Sequence, residues 1–159
     1  MATLEHHAER LVDQRSDVVH ARLLELADRL RDEMPPVEPG TQAATMLGMT
    51  GPVGIEVTDR GPNRIELRTT EVRVRVEAAA DLTPTEDDKT SLSLGLVVQP
   101  QGFAANMMLG VALRTMPNVE RQLIDGLERA LTDLAAELAK PDGEWDARAW
   151  QPPGLPTRR

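Results

Sequence analysis

GFAANMMLGVALRTMPNVERQLIDGLERALTDLAAELAK, residues 102–140, is the stretch whose reading settles the fold class. It is rich in Ala, Leu, Met, Glu and Arg, side chains that lose little rotamer freedom in a helix. Val119, Leu123, Leu127, Leu131, Leu134 and Leu138 recur at three- and four-residue steps and so share one face. Glu120, Arg121, Asp125, Glu128, Arg129, Asp133 and Glu137 fall between them and read as the solvated side. Upstream of Pro117 the pattern changes. Phe103, Met107, Met108, Leu109, Val111, Leu113 and Met116 leave almost no polar side, as in a helix covered from more than one direction.

Immediately before this helix, Ser91-Leu92-Ser93-Leu94-Gly95-Leu96-Val97-Val98 reads as a strand, ended by Pro100-Gln101-Gly102. Further upstream, Pro52 to Thr58 alternates, Asp59-Arg60-Gly61-Pro62-Asn63 makes a turn, and Arg64 to Thr69 alternates again. Val72, Val74 and Val76 interleave with Arg73, Arg75 and Glu77, the pattern of a half-buried strand, and Leu82 to Lys89 reads as a Pro- and acid-rich connection. Strands this close in sequence pair antiparallel, because parallel pairing needs long crossovers. One face of the resulting sheet carries Val53, Ile55, Val57, Ile65, Leu67, Val72, Val74, Val76, Leu92, Leu94, Leu96 and Val98. The other carries Glu56, Arg64, Glu66, Arg68, Arg73, Arg75 and Glu77, charges of mixed sign that cross-strand ion pairs explain. The apolar face must be buried, and the long helix is its cover.

Towards the amino terminus, a helix is predicted over roughly 16–33, with Ser16 as its N-cap, Asp17 in the first turn and Met34-Pro35-Pro36 as its stop. Residues 3–14 support two readings, a short strand or the start of one helix running from 3 to 33. The domain is placed at 1–140. Residues 141–159, with four prolines and Trp145 and Trp150, read as an irregular, flexible tail.

The totals bound the function. A length of 159 residues suits one domain with a real core. A net charge of −8 argues against non-specific nucleic-acid binding, which needs basic patches. Cysteine is absent, so disulfides and thiolate metal sites are excluded. The charged amino terminus does not read as a signal peptide and no apolar run suits a bilayer span, so a cytoplasmic location is expected. With one Phe, two Trp and no Tyr, the core must be aliphatic and Met-filled.

Chemistry-bearing patterns are sparse. His6, His7 and His20, with Glu5 and Glu9, lack the spacing of a zinc site and read as surface residues. Glu86-Asp87-Asp88 lacks the glycine turn of a calcium loop and reads as a solvated connection. There is no phosphate-binding loop, no nucleophile elbow and no thiol, so no catalytic residue, metal or cofactor is assigned. Arg114 either anchors an acidic head group or points to water beside Asn106 and Gly110.

The order of strand or helix, helix, curved meander and long terminal helix resembles the helix-grip fold of the SRPBCC superfamily, which includes START domains and polyketide cyclase-like proteins. The match is carried by SLSLGLVVQPQGFAANMMLGVALRTMPNVERQLIDGLERALTDLAAEL, residues 91–138, where the last strand turns a proline-glycine corner into the helix. The meander reads about one strand short of that family's seven unless Thr41 to Met49 supplies another. The resemblance implies an α+β domain, a curved antiparallel sheet packed against a long C-terminal helix, with a cavity between them for a lipid or polyketide-like molecule. Its implied lining is Ile55, Leu67, Thr69, Val74 and Leu94 from the sheet, and Phe103, Met107, Met108, Val111 and Arg114 from the helix. Met side chains suit a surface that accepts varied shapes, and equally fill gaps in a closed core. Three functions stay open: non-enzymatic binding of a small hydrophobic molecule, a cyclase/aromatase-like enzyme, and a structural or interaction protein, dimeric, with no cavity.

Overall fold

Alternation in the middle of the chain does produce strands. The computed structural model describes residues 3–34, 36–40, 50–70, 74–100, 107 and 117–150. Its elements are β1 (Leu4–Val12), α1 (Ser16–Glu33), β2 (Gly54–Asp59), β3 (Arg64–Thr70), β4 (Val74–Pro84), β5 (Thr90–Pro100) and α2 (Pro117–Leu138), then a 3-10 turn at Asp142–Glu144. The strands form one antiparallel sheet in the order β1-β5-β4-β3-β2. The first strand thus pairs with the last, and the meander β2 to β5 unrolls away from it. Thr41 to Met49, where a further strand was sought, and Val72 lie outside the described residues.

Both open readings of the amino terminus are resolved by pairing. Residues 4–12 contain good helix formers, yet they form a strand because β5 offers nine partners, from Leu4↔Val98 to Val12↔Thr90. β4 runs longer than the alternation suggested. Ala78, Ala79 and Ala80 are poor strand formers, but β5 pairs continuously from Val74↔Pro100 to Pro84↔Thr90, so Leu82 lies in a strand rather than a loop. Helix α1 spans the expected residues, with Arg15 rather than Ser16 at the N-cap position and no side-chain cap. It stops at Met34, which is extended as expected before proline. Between β2 and β3, Gly61 takes φ 109°, a conformation closed to ordinary side chains.

Register places Val57, Ile65, Leu67, Val76, Leu92, Leu94, Leu96 and Val98 on one face, as the alternation predicts. Both helices lie on that face: α1 against β2, β3 and β4, and α2 against β1 and α1. The core combines Val12, Ile65, Ala80, Leu82 and Leu92 from the sheet, Val19, Leu23 and Leu26 from α1, and Leu131, Leu134, Ala135 and Leu138 from α2. Leu92, Leu138, Val12 and Val19 are fully enclosed, each worth roughly 1.5–3 kcal/mol of burial. The lower half of α2 therefore meets the core through positions 131–138; Leu127 is half-buried, and the side chain of Leu123 lies outside the described residues.

A charge sits inside this packing. Arg22, 4% exposed, donates from Nη1 to the carbonyls of Leu138 and Lys140 and from Nη2 to Asp142 Oδ1 at 2.9 Å. It thus satisfies carbonyls that the end of a helix leaves without partners, at the negative end of the helix dipole. Its guanidinium also lies 5.1 Å from the centre of the Trp145 ring. Residues 141–150 are anchored to the fold. Trp145 Nε1 donates to Glu25, Trp150 Nε1 donates to the Ala130 carbonyl, and Ala147 is buried. Residues 151–159 lie outside the described residues.

Candidate ligand-binding site

The helix-covered face of the sheet changes character along its length. One row across the strands, Ile65–Ala80–Leu94–Ala8, belongs to or packs on the closed core, with Ile65 and Ala80 buried. The next row, Val57–Leu67–Ala78–Leu96–His6, is half-buried throughout. Beyond it, Leu4 and Val98 are buried again, with Val76 and Leu96 packed against them. Alanine at 78, in the middle of the half-buried row, leaves room where a larger side chain would fill it. The half-buried row thus lies between two closed clusters.

Of the sequence-derived lining, Ile55, Leu67, Thr69 and Leu94 come together on this face and are half-buried. The Thr69 hydroxyl oxygen accepts a hydrogen bond from the Val76 backbone N–H at 2.9 Å. Val74 opens β4 opposite Pro100, and its side chain lies outside the described residues. Met107 is helical and 57% exposed rather than enclosed. Phe103, Met108, Val111 and Arg114 lie outside the described residues.

The polar boundary of the row was not legible as a site. His6 and Arg10 sit two strand steps apart on the helix-facing side of β1. His6 Nε2 donates to Glu128 Oε1 at 2.7 Å, and Arg10 Nη2 donates to Glu128 Oε2. The sequence placed Glu128 on the solvated side of α2 and His6 on the surface. Instead α2 lies along β1 closely enough for Glu128 to reach down, and the His6 side chain is only 18% exposed. The Arg10 guanidinium, and after it His6, hold the Glu128 carboxyl below the ordinary carboxylate range. An ionised Glu128 accepts only, so it holds the His6 proton on Nε2. His20, also expected at the surface, is likewise largely covered and pairs with Asp59 at 3.0 Å. The i, i+2 spacing of His6, Ala8, Arg10 and Val12 was the available signal, but only once residues 4–12 were known to be a strand.

The opposite face carries a groove of about 390 Å³ lined by His7, Glu56, Arg60, Arg64, Arg68, Glu77 and Gly95. Its charges are engaged with one another: Glu56 with Arg68 across β2 and β3, Arg64 with Asp81 across β3 and β4, and Arg60 with Glu66. This is the water-facing surface that the alternation predicts. Among the described residues no cluster of three or more His, Asp or Glu could hold a metal, and no helix is long and apolar enough to cross a membrane.

The overall fold is shared with known structures. A protein from Thermus thermophilus, TTHA0849, superposes with a TM-score of 0.52 at 16% identity, covering 85% of this chain and 97% of that one. A norcoclaurine synthase point mutant from Thalictrum, in complex with a transition-state analogue, gives 0.51 at 12% identity over 87% of this chain and 94% of that one. This is the helix-grip fold. The same fold is found in the di-domain ARO/CYC StfQ of the steffimycin biosynthetic pathway, at 0.50 and 13% identity. The alignment takes in 92% of this chain and 52% of StfQ, so this helix-grip chain spans about half of that protein. No family model and no curated protein matches the sequence.

Proposed function

We propose that this helix-grip protein binds a small hydrophobic molecule, lipid or polyketide-like, between the sheet and the C-terminal helix, without transforming it. The observation that carries this reading is the half-buried row Val57–Leu67–Ala78–Leu96, lying between the closed core and the buried Leu4–Val98 pair. A sheet that needed only stability would close that row as it closes the row below. Apolar walls with a few placed polar groups are the usual make-up of a small-molecule site, and Thr69 and His6 supply such groups here.

Filling the space tests the reading. Ala78→Phe should abolish binding of an apolar probe such as naphthalene, followed by calorimetry, while leaving the melting temperature unchanged or higher. In a closed core the same insertion would cost about 1–3 kcal/mol. Loss of stability together with no naphthalene binding by the parent protein would refute the pocket. A cyclase/aromatase-like activity is the second reading, and the observation favouring it is the ionisable set His6, Glu128 and Arg10 at the border of the apolar row.

A further inference from the structure

Arg22, Glu25, Arg29 and Glu33 follow one another at three- and four-residue steps, so they form one stripe along α1. Each of the four is bonded to the segment that follows α2. Arg22 Nη2 donates to Asp142 at 2.9 Å, and Glu25 accepts from Trp145 Nε1 at 2.9 Å. Arg29 Nη2 donates to the Trp150 carbonyl at 2.7 Å, and Glu33 accepts from Arg148 Nη2 at 3.1 Å. Trp150 also reaches the other helix, where its Nε1 donates to the Ala130 carbonyl at 3.1 Å. The two ends of this segment are held differently. Arg22 is buried at the end of α2, whereas beyond Asp142 only Ala147 is buried, and Trp145, Arg148 and Trp150 are exposed or half-buried. Polar contacts open to water are held weakly, so the 145–150 end is the part able to come away.

α2 divides at the same level. Leu131, Leu134, Ala135 and Leu138 are buried in the core, but no described residue from 117 to 130 is buried. Among the described residues, that upper half is tied to the rest of the fold by Glu128, held by His6 and Arg10 on β1, and by the Ala130 carbonyl, held by Trp150. We propose that residues 145–150 are a releasable strap. While they lie on α1 they hold the upper half of α2 down through Trp150; when they leave, residues 117–130 lift from the sheet while Leu131 to Leu138 stay packed. The strap thus controls how far the terminal helix covers the half-buried apolar row, with or without a ligand on that face.

Hydrogen exchange of the full chain, read fragment by fragment by mass spectrometry, tests this. In Trp150→Ala, which removes the bond to Ala130, exchange across 117–130 should rise about tenfold, with 131–138 and strands β4 and β5 unchanged. Arg148→Glu sets a like charge against Glu33 from a side chain that is 74% exposed, and should raise the same exchange about threefold. Adding Glu33→Arg restores an opposite pair and should return exchange to the parent value. Trp145 and Trp150 are the only tryptophans and tyrosine is absent, so tryptophan emission should shift to the red in Arg148→Glu and recover in the swap. Acceleration confined to 141–150 overturns the proposal, because α2 is then held without the strap. Equal acceleration in β4 and β5 also overturns it, since the whole fold has then loosened. Should Trp150→Ala fail to fold, the charge swap decides alone: unchanged exchange at 117–130 in Arg148→Glu, or no reversal by Glu33→Arg, sinks the strap.

Discussion

Replacing Arg22 by Met removes the charge and all its donors while keeping most of the side-chain volume. In the parent, the guanidinium serves the carbonyls of Leu138 and Lys140, reaches Asp142 and stacks over Trp145. Charge-assisted hydrogen bonds of this kind contribute about 1.5–3 kcal/mol each, and a partly desolvated cation–π contact about 1–2 kcal/mol. Against that, Met recovers the several kcal/mol that burying a cation costs. The Asp142 contact adds little, because that side chain is 92% exposed and well hydrated. The net expectation is a loss of about 2–4 kcal/mol, most of it the two stranded carbonyls at the end of α2. At a urea m-value of about 2 kcal/mol/M, the midpoint should fall by about 1–2 M with m unchanged. Arg22→Lys, which keeps the charge but not the planar fork, should lie between the two. Asp142→Asn should change stability by less than about 0.5 kcal/mol. An Arg22→Met midpoint equal to the parent's would refute the view that this buried cation closes the helix end.

Leu92→Ala, in the centre of the core with no exposed surface, should cost about 2–5 kcal/mol by the same denaturation assay; a smaller loss would mean that the site collapses around the void. Gly126→Ala on α2, where an added Cβ meets nothing within 4 Å, should raise stability by about 0.5–1 kcal/mol, and a fall would reveal an unseen neighbour. Glu128 has a folded pKa lowered by Arg10 and His6, so its ionised form favours the fold. That contribution is present above the ordinary glutamate range of about 4.3 and disappears as pH falls through the lower folded value. Glu128→Gln should therefore be less stable than the parent near neutrality, and the two should converge in acid. A gap that stays constant down to about pH 3 would show that the carboxylate's charge is not what matters. Asp59 and Glu66, lowered by His20 and by Arg64 respectively, continue to titrate in that variant, so its acid limb should shrink without vanishing.

Much of the architecture is readable along the chain because a surface-facing element carries its geometry in its period. Ile55 and Val57, Ile65 and Leu67, and Leu92 to Val98 alternate, and they do share one face. Val19 to Ala27 and Leu131 to Leu138 repeat at helical steps, and both stretches are buried helix faces. The residues that bound the candidate site were another matter. His6 and Glu128 are 122 positions apart, and Arg22 lies 116 from the Leu138 carbonyl it serves. No local pattern reports such a meeting.

What the amino-acid sequence by itself determined was the alternating meander, its apolar side, and the existence of two amphipathic helices, because period 2 and period 3.6 are written locally; that the first of them, and not the long one alone, covers β2 to β4 came from the structure. Tertiary structure alone decided that residues 4–12 are a strand, since β5 supplied the hydrogen-bond partners that outweighed their helix propensity. It alone drew Ala78–Leu82 into β4, buried Arg22 against a helix end, and turned Glu128 towards β1. Each of these depends on which distant backbone or charge lies within reach, and that distance is set only when the sheet and its helices close on one another.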